Sequence, residues 1–286
     1  MIIETNPSVV RAYSDAQRRA GKKIGFVPTM GYLHQGHMSL VEYAAHENDV
    51  VIVSIYVNPT QFAPTEDLAK YPRDFEKDKA LCENAGVAMI FFPTNESMYP
   101  NGFNTYVVPE ALSQNLCGKS RPIHFRGVCT VVTKLFNIVN PDAAYFGQKD
   151  YQQYKIIEQM VVDLNMTTRT VPCPIVRESD GLAMSSRNVY LSVDERRFAL
   201  SISQALGMAR DMLSAGERKA SVILEVMHTH IEKTGIARVD YLQCVNETTL
   251  EDVENIDCVA KVVFACAVYF GKTRLIDNMV WSEHDM

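Results

Sequence analysis

Apolar residues in the first half of the chain switch repeatedly between helical and strand periods. Val9, Val10, Tyr13 and Ala16 recur at helical spacing after Asn6-Pro7, which predicts a capped amphipathic helix ending before Gly21. Lys23 to Val27 reads as a strand, and Leu40, Val41, Tyr43 and Ala44 as one helix face. The β-branched run Val50 to Val57 reads as a strand buried on both sides. The alternation goes on with a helix over Phe75 to Ala85, a strand over Val87 to Phe92 and a helix over Val128 to Val139. A strand over Ala143 to Phe146, a helix over Tyr151 to Leu164 and a strand over Thr168 to Val176 complete it. Strands separated by helices favour a parallel sheet covered on both faces, so residues 1–177 are expected to form a doubly wound, Rossmann-like α/β domain.

The pattern changes after Arg177. Glu178 to Arg187 is polar, and Ser192 with Glu195 makes a capping box for a long helix over Asp194 to Leu213. A second helix over Ala220 to Thr234 is followed by strand-like runs at Val239 to Val245, Lys261 to Phe270 and Thr273 to Ile276. Strands with short connections imply an antiparallel sheet, so residues 178–286 are expected to form a smaller α+β domain.

Composition narrows the function. A net charge of -6 leaves no broad basic face for a nucleic acid backbone. The seven cysteines are scattered and never spaced as CxxC, so they read as reduced packing thiols rather than a disulfide framework or zinc site. The N-terminus lacks the pattern of a signal peptide, and the longest apolar runs are interrupted or shorter than the ~20 residues a bilayer needs. A cytoplasmic protein without membrane partners is the expectation.

The strongest local signal is Pro28-Thr29-Met30-Gly31-Tyr32-Leu33-His34-Gln35-Gly36-His37, between the first strand and the first helix of a βαβ unit. Ligands of open parallel sheets sit beyond the C-terminal strand ends, where a helix N-terminus offers unpaired N–H donors and partial positive charge. Gly31 and Gly36 let the backbone approach a phosphate, and a neutral His34 or His37 still donates one N–H. The plainer alternative is that one histidine caps the helix and the other packs. Neither GxxxxGK[ST] nor GxGxxG is present, so a P-loop or ordinary dinucleotide site is disfavoured.

Other clusters follow other strands. Gly147-Gln148-Lys149-Asp150-Tyr151-Gln152-Gln153 begins a helix, with Lys149 placed as a point charge for phosphate, Asp150 as a cap, ribose acceptor or metal ligand, and Gln153 one turn on. Met184-Ser185-Ser186-Arg187 brings two hydroxyls and a permanent cation, although most such loops are only surface turns. In Asn58-Pro59-Thr60-Gln61-Phe62, Gln61 offers a donor and an acceptor to a hydroxy acid, or the segment is simply a turn. Arg121, His124 and Arg126 suit either an anion or a solvated basic turn. His228 and His230 do not share a helix face and make a poor metal pair; they, His46 and His284 read as surface or packing residues.

Together PTMGYLHQGH at 28–37, YVNPTQF at 56–62, SRPIHFRGV at 120–128, FGQKDYQQ at 146–153 and AMSSRN at 183–188 resemble the pantothenate synthetases, pantoate–β-alanine ligases of the HxGH nucleotidyltransferase superfamily. The resemblance implies that Met30, Gly31, Tyr32, Leu33, His34, Gln35, Gly36 and His37 bind ATP. It implies the same of Gly147, Gln148, Lys149, Asp150, Val176, Met184, Ser185, Ser186 and Arg187. Gln61 and Gln153 would hold pantoate, Gln61 would also receive β-alanine, and His37 would be the proton donor. His34 and Lys149 join His37 as candidate catalytic groups. Mg²⁺ accompanying ATP and a homodimer are implied as well, without an assigned metal ligand. Three positions depart from the family's pattern: Ile123 and Val189 stand where Gly is common, and Lys77 precedes Asp78 where an acidic pair near magnesium is usual.

The chemistry implied is adenylation of a carboxylate followed by attack of an amine, with the Met184 to Arg187 loop and the C-terminal domain as a lid. Two rivals share the motif: a nucleotidyltransferase that stops at the nucleotidyl product, and an adenine-nucleotide sensor without catalysis.

Overall fold

The computed structural model describes residues 1–64, 66–257 and 261–283; Cys258 and His284 lie outside the described residues. The chain begins with strand β1 (Ile2–Glu4), helix α1 (Pro7–Arg19), β2 (Ile24–Thr29), α2 (Gln35–Glu47) and β3 (Val50–Ile55). It continues with α3 (Phe75–Asn84), β4 (Met89–Phe91), α4 (Asn95–Met98), α5 (Leu116–Ser120) and α6 (His124–Val139). Then come β5 (Ala143–Gly147), α7 (Tyr151–Asp163), β6 (Arg169–Cys173), α8 (Val193–Ser214), α9 (Ala220–Glu232), β7 (Ala237–Asn246), β8 (Val262–Phe270) and β9 (Thr273–Trp281).

Contacts divide the chain into two compact units. The first comprises Met1–Glu110, Arg121–Gln148 and Gln153–Val176, and the second Ala111–Ser120, Lys149–Gln152 and Arg177–Met286.

In the first unit six strands pair in parallel in the order β1-β4-β3-β2-β5-β6. All six β3 residues are buried, as a β-branched central strand requires. From β2 the chain goes to β3 on one side and reaches β5 on the other, so the strand order reverses at β2. The crevice beyond the β2 and β5 C-terminal ends is the place where such sheets bind ligands. Val27, Leu33, Val41, Val53, Ile90 and Tyr145 belong to one apolar cluster beneath it.

Several first-unit elements depart from the expectation: β2 runs on to Thr29, the short α4 was not predicted, and β6 ends at Cys173, short of Val176. β1 was not predicted, because three residues are too few to show a period and Ile2 and Ile3 are exposed on an edge strand paired with β4. α6 starts a turn before Val128, because His124, Phe125 and Gly127 are also buried.

The second unit is a three-stranded antiparallel sheet, β7-β8-β9, with α8 and α9 contributing Leu206, Leu213, Ile223 and Met227 to a core shared with Phe264, Phe270 and Trp281. The Ser192–Glu195 capping box forms at the start of α8. β9 runs past Ile276 to Trp281 because polar residues that break the apolar run are satisfied inside. Asp277 accepts both Arg177 Nη groups at 2.6 and 3.0 Å, and Asn278 Nδ2 donates to the Lys149 carbonyl at 2.9 Å. No helix among the described residues is long and apolar enough to cross a membrane.

Candidate active site

β2 ends in a turn that its own side chains build. Thr29 Oγ donates to the Ser54 carbonyl at 2.8 Å and accepts the Gly31 N–H at 3.1 Å. Gly31 and Tyr32 follow with φ of 82° and 52°, the left-handed region that suits Gly31 and costs Tyr32 about 1 kcal/mol. Asp78, from the first turn of α3, meets this turn from below: Oδ2 accepts the Tyr32 N–H at 2.7 Å and Oδ1 the Leu33 N–H at 2.6 Å. Burial pushes the Asp78 carboxyl up; the Leu33 and Tyr32 N–H bonds pull against it, and the net pKa stays above the ordinary aspartate range. Lys77 lies over the Tyr32 ring, 4.9 Å from its centroid.

His34 and His37 start α2 as a reciprocal cap. His34 Nδ1 accepts the Gly36 N–H at 3.1 Å, and His37 Nδ1 accepts the His34 N–H at 3.3 Å, with the rings 4.1 Å apart. An Nδ1 that accepts cannot carry a proton, so both neutral rings are Nε2–H tautomers. The cap and a donor role are therefore compatible: the edge that holds the helix is opposite the edge that can face a phosphate.

Gln61 sits 7% exposed after β3, in a 3-10 turn over Pro59–Gln61 that Asn58 caps. Its amide Oε1 accepts Asn58 Nδ2 at 3.1 Å and its Nε2 donates to Met30 Sδ at 3.0 Å. A thioether is a weak acceptor, so this buried amide keeps hydrogen-bonding capacity for a ligand. Asn58 in turn donates to the Gly127 carbonyl and accepts Tyr99 OH at 2.8 Å.

The basic turn before α6 fixes Gln61 from the other side. Arg121 holds Glu66 through Nε and Nη2, each at 2.7 Å, and Nη2 reaches the Gln61 carbonyl at 3.3 Å, where His124 Nδ1 is also 3.0 Å away. Burial would raise the Glu66 carboxyl, but the Arg121 hydrogen bond and charge outweigh it and hold it below the usual range. Arg126 stacks on Tyr106, 4.5 Å from the ring centroid. Arg121 and His124 thus brace the Gln61 turn.

β5 leads through Gly147 and Gln148 into a 3-10 turn, Gln148–Asp150, in which Lys149 Nζ lies 3.6 Å from Asp150 Oδ2. The two glutamines that follow differ. Gln152 is buried and anchors the 111–120 segment through Leu112 O, Asn115 O and Cys117 N, whereas Gln153 is half-buried. Val176 is half-buried at the end of the first unit.

In the second unit Ser185 caps a 3-10 turn over Ser186–Tyr190 by accepting the Arg187 N–H at 3.2 Å, and Met184 and Arg187 are half-buried. Asn188 donates to Glu178 and Ala183, while Arg196 ties Glu178 and Asp180 to α8, so this loop is braced rather than loose.

A family model described as pantoate-beta-alanine ligase matches residues 2–280, almost the whole chain. The chain belongs to the pantoate-beta-alanine ligase family. Among its relatives, the pantothenate synthetase of Thermotoga petrophila is 57% identical over 279 residues, covering 98% of this chain and 99% of that one. The enzyme of Caldicellulosiruptor bescii is 52% identical over 280 residues, covering 98% and 99%.

Two solved structures of the same family share the fold. Pantothenate synthetase from Thermus thermophilus has a TM-score of 0.91 at 42% identity, covering 98% of this chain and 99% of that one. Pantoate-beta-alanine ligase from Francisella tularensis, complexed with beta-gamma ATP and beta-alanine, has a TM-score of 0.82 at 37% identity, covering 98% and 97%.

Some features of this pantoate-beta-alanine ligase family member were not read from the sequence. Asp78, noted from the sequence only beside the family's magnesium pair, braces the loop from 46 residues away. Gly127, within the SRPIHFRGV segment, gave no sequence sign of its close packing, yet a Cβ there would lie 2.4 Å from the Thr60 carbonyl oxygen. His228 pairs with Glu232 at 3.3 Å and His230 with Gln204 at 3.1 Å. Burial pushes the Cys82, Cys129 and Cys244 thiols up to about 12, in keeping with packing thiols.

Proposed function

We propose that this protein joins pantoate to β-alanine through an amide, consuming ATP and releasing AMP and pyrophosphate by way of pantoyl adenylate. The observation that carries the reading is the 3.0 Å contact between Gln61 Nε2 and Met30 Sδ, which joins the acid-holding turn to the phosphate loop within one unit. An acid held by Gln61 is thereby held beside the nucleotide.

A free carboxylate is a poor acceptor for an amine. One pantoate oxygen attacks the α-phosphorus of ATP and pyrophosphate leaves. The backbone from Met30 to His37 and the Nε2–H edges of His34 and His37 meet the charge that develops on the phosphates, with His37 as proton donor to the departing group. Lys149, Ser185, Ser186 and Arg187 add cations and hydroxyls, and Gly147, Gln148, Asp150, Val176 and Met184 complete the nucleotide contacts. Gln61 and Gln153 hold pantoate. The β-alanine nitrogen, received at Gln61, then attacks the acyl carbon, loses a proton and expels AMP.

Mg²⁺ is part of the reading as a companion of ATP. Among the described residues no three His, Cys, Asp or Glu side chains gather as a metal cluster, and each Asp78 oxygen already accepts one backbone N–H. The described residues do not build an all-protein magnesium cage, so the ion would be held mainly by the ATP phosphates, and no step is routed through it. Residues 1–177 as the catalytic domain, residues 178–286 as a lid, a homodimer and a cytoplasmic location complete the proposal. None of the six described cysteines is in a disulfide, which suits a reducing compartment.

Pantoate-dependent exchange of pyrophosphate into ATP, followed by AMP formation that requires β-alanine, tests the reaction. His37→Ala is expected to lower exchange on the order of 10²- to 10³-fold. Exchange without pantoate, or AMP release without an amine, would overturn it. Unaltered pyrophosphate release by Arg187→Ala would remove the lid loop from the scheme, and light scattering at micromolar concentration checks the dimer.

A further inference from the structure

We propose that Asp78 is a positioning residue for the nucleotide loop, holding the left-handed Gly31–Tyr32 turn through the backbone N–H groups of Tyr32 and Leu33. Three independent features meet on that carboxylate. Its side chain is 1% exposed, and each oxygen is committed to a different N–H, at 2.7 and 2.6 Å. The residue it steadies, Tyr32, adopts φ of 52°, a conformation that a side-chain-bearing residue keeps only when its surroundings impose it. A Cβ at Gly31 would lie 3.0 Å from Asp78 Oδ2 and 2.9 Å from Ile55 Cγ2, so the loop is seated directly on the carboxylate. Lys77, the neighbouring residue on α3, clasps the same Tyr32 from its ring face. The first turn of α3 thus grips the loop at the two residues that precede the His34–His37 cap.

The consequence for the reaction is specific. Relaxation of Tyr32 toward an ordinary conformation would turn the Tyr32–Leu33 peptide and shift His34, the cap of α2, out of register with His37. Asp78 touches no substrate in this scheme; it acts through Tyr32 and Leu33.

The role rests on the reading of residues 30–37 as the ATP loop, and its test separates the two. Asp78→Asn keeps the shape but replaces one acceptor by an NH₂ that faces an N–H. Binding of β,γ-methylene ATP to the full chain is expected to weaken roughly 10- to 100-fold, the effect of losing a buried charge-assisted hydrogen bond. The KM for ATP should rise in parallel while the KM for pantoate stays near that of the unaltered protein. Amide exchange at Tyr32 and Leu33 should accelerate, with protection along β2 and β3 retained.

ATP-analogue binding within about threefold of the unaltered protein, with unchanged exchange at those two amides, would overturn the proposal. Should Asp78→Asn fail to fold, Gly31→Ala presses on the same contact from the other side. It should give the same pattern, and retained analogue affinity there would overturn the proposal equally. Neither binding nor amide exchange requires pantoate. An unaltered protein that binds the analogue but lacks pantoate-dependent exchange would sink the functional reading and leave the role of Asp78 standing.

Discussion

Single side chains in this site act mostly on one another, and Gly127 shows how tight the arrangement is. Its added Cβ would lie 2.4 Å from the Thr60 carbonyl oxygen and 2.6 Å from Gln61 Cα, both backbone atoms with little freedom to move. Gly127→Ala should therefore push the Pro59–Gln61 turn off α6 and raise the KM for pantoate about tenfold or more, the scale of a misplaced contact. Steady-state kinetics with pantoate varied check this; an unchanged KM would mean that the turn can yield.

The half-buried Glu66 and the buried Asp78 respond to pH with opposite signs. Glu66 has a lowered folded pKa, so its contribution to stability is present above the unfolded value of about 4.3 and is lost as the pH falls through the folded value. Asp78 has a raised folded pKa, so its contribution is present below about 3.9 and is lost as the pH rises through the folded value. Glu66→Gln is expected to flatten the acid-side fall of the unfolding midpoint below about pH 4.3, read by thermal melts from pH 3 to 7.

At the scale of elements, α2 combines structural and chemical work in one residue. His34 caps the helix through Nδ1, and the donor role proposed for it falls to Nε2, so substitutions can separate the two. His34→Ala removes both and should cost about 1 kcal/mol of stability as well as rate. His34→Asn restores a favoured cap without the imidazole donor. It should recover the thermal midpoint yet remain on the order of 10²-fold slow in pyrophosphate exchange. Recovery of rate with recovery of the cap would assign His34 a structural role alone.

Elements were legible where the apolar period was long. The runs that became β3, α3 and α8 carry their own periodicity, and the Ser192–Glu195 box marked its helix start within a residue. β1 and the far half of β9 were hidden because their state is decided by partners: Met89–Phe91 for β1, and Arg177 for the polar Asp277 inside β9. The candidate site divides the same way. HxGH after β2 was visible because its chemistry is local, whereas Asp78, Asn58, Tyr99 and Gly127 act across gaps in sequence that spacing cannot reveal.

At the scale of the whole molecule, each unit has a large apolar core of its own, and this bears on how stability should be measured. One is centred on the parallel sheet, with Val27, Val53 and Ile90; the other packs α8 and α9 on the antiparallel sheet around Phe264 and the single tryptophan, Trp281. Tryptophan fluorescence therefore reports the second unit, and a single unfolding midpoint taken from it need not describe the Thr29 to His37 loop. Phe264→Ala removes a fully buried ring and should cost about 3–5 kcal/mol. Native-state amide exchange should localise that loss to β7, β8 and β9, with protection in β2, β3 and β5 nearly unchanged. Equal loss in both sheets would instead define one cooperative unit, and Trp281 fluorescence would then serve as a reporter of the phosphate loop as well.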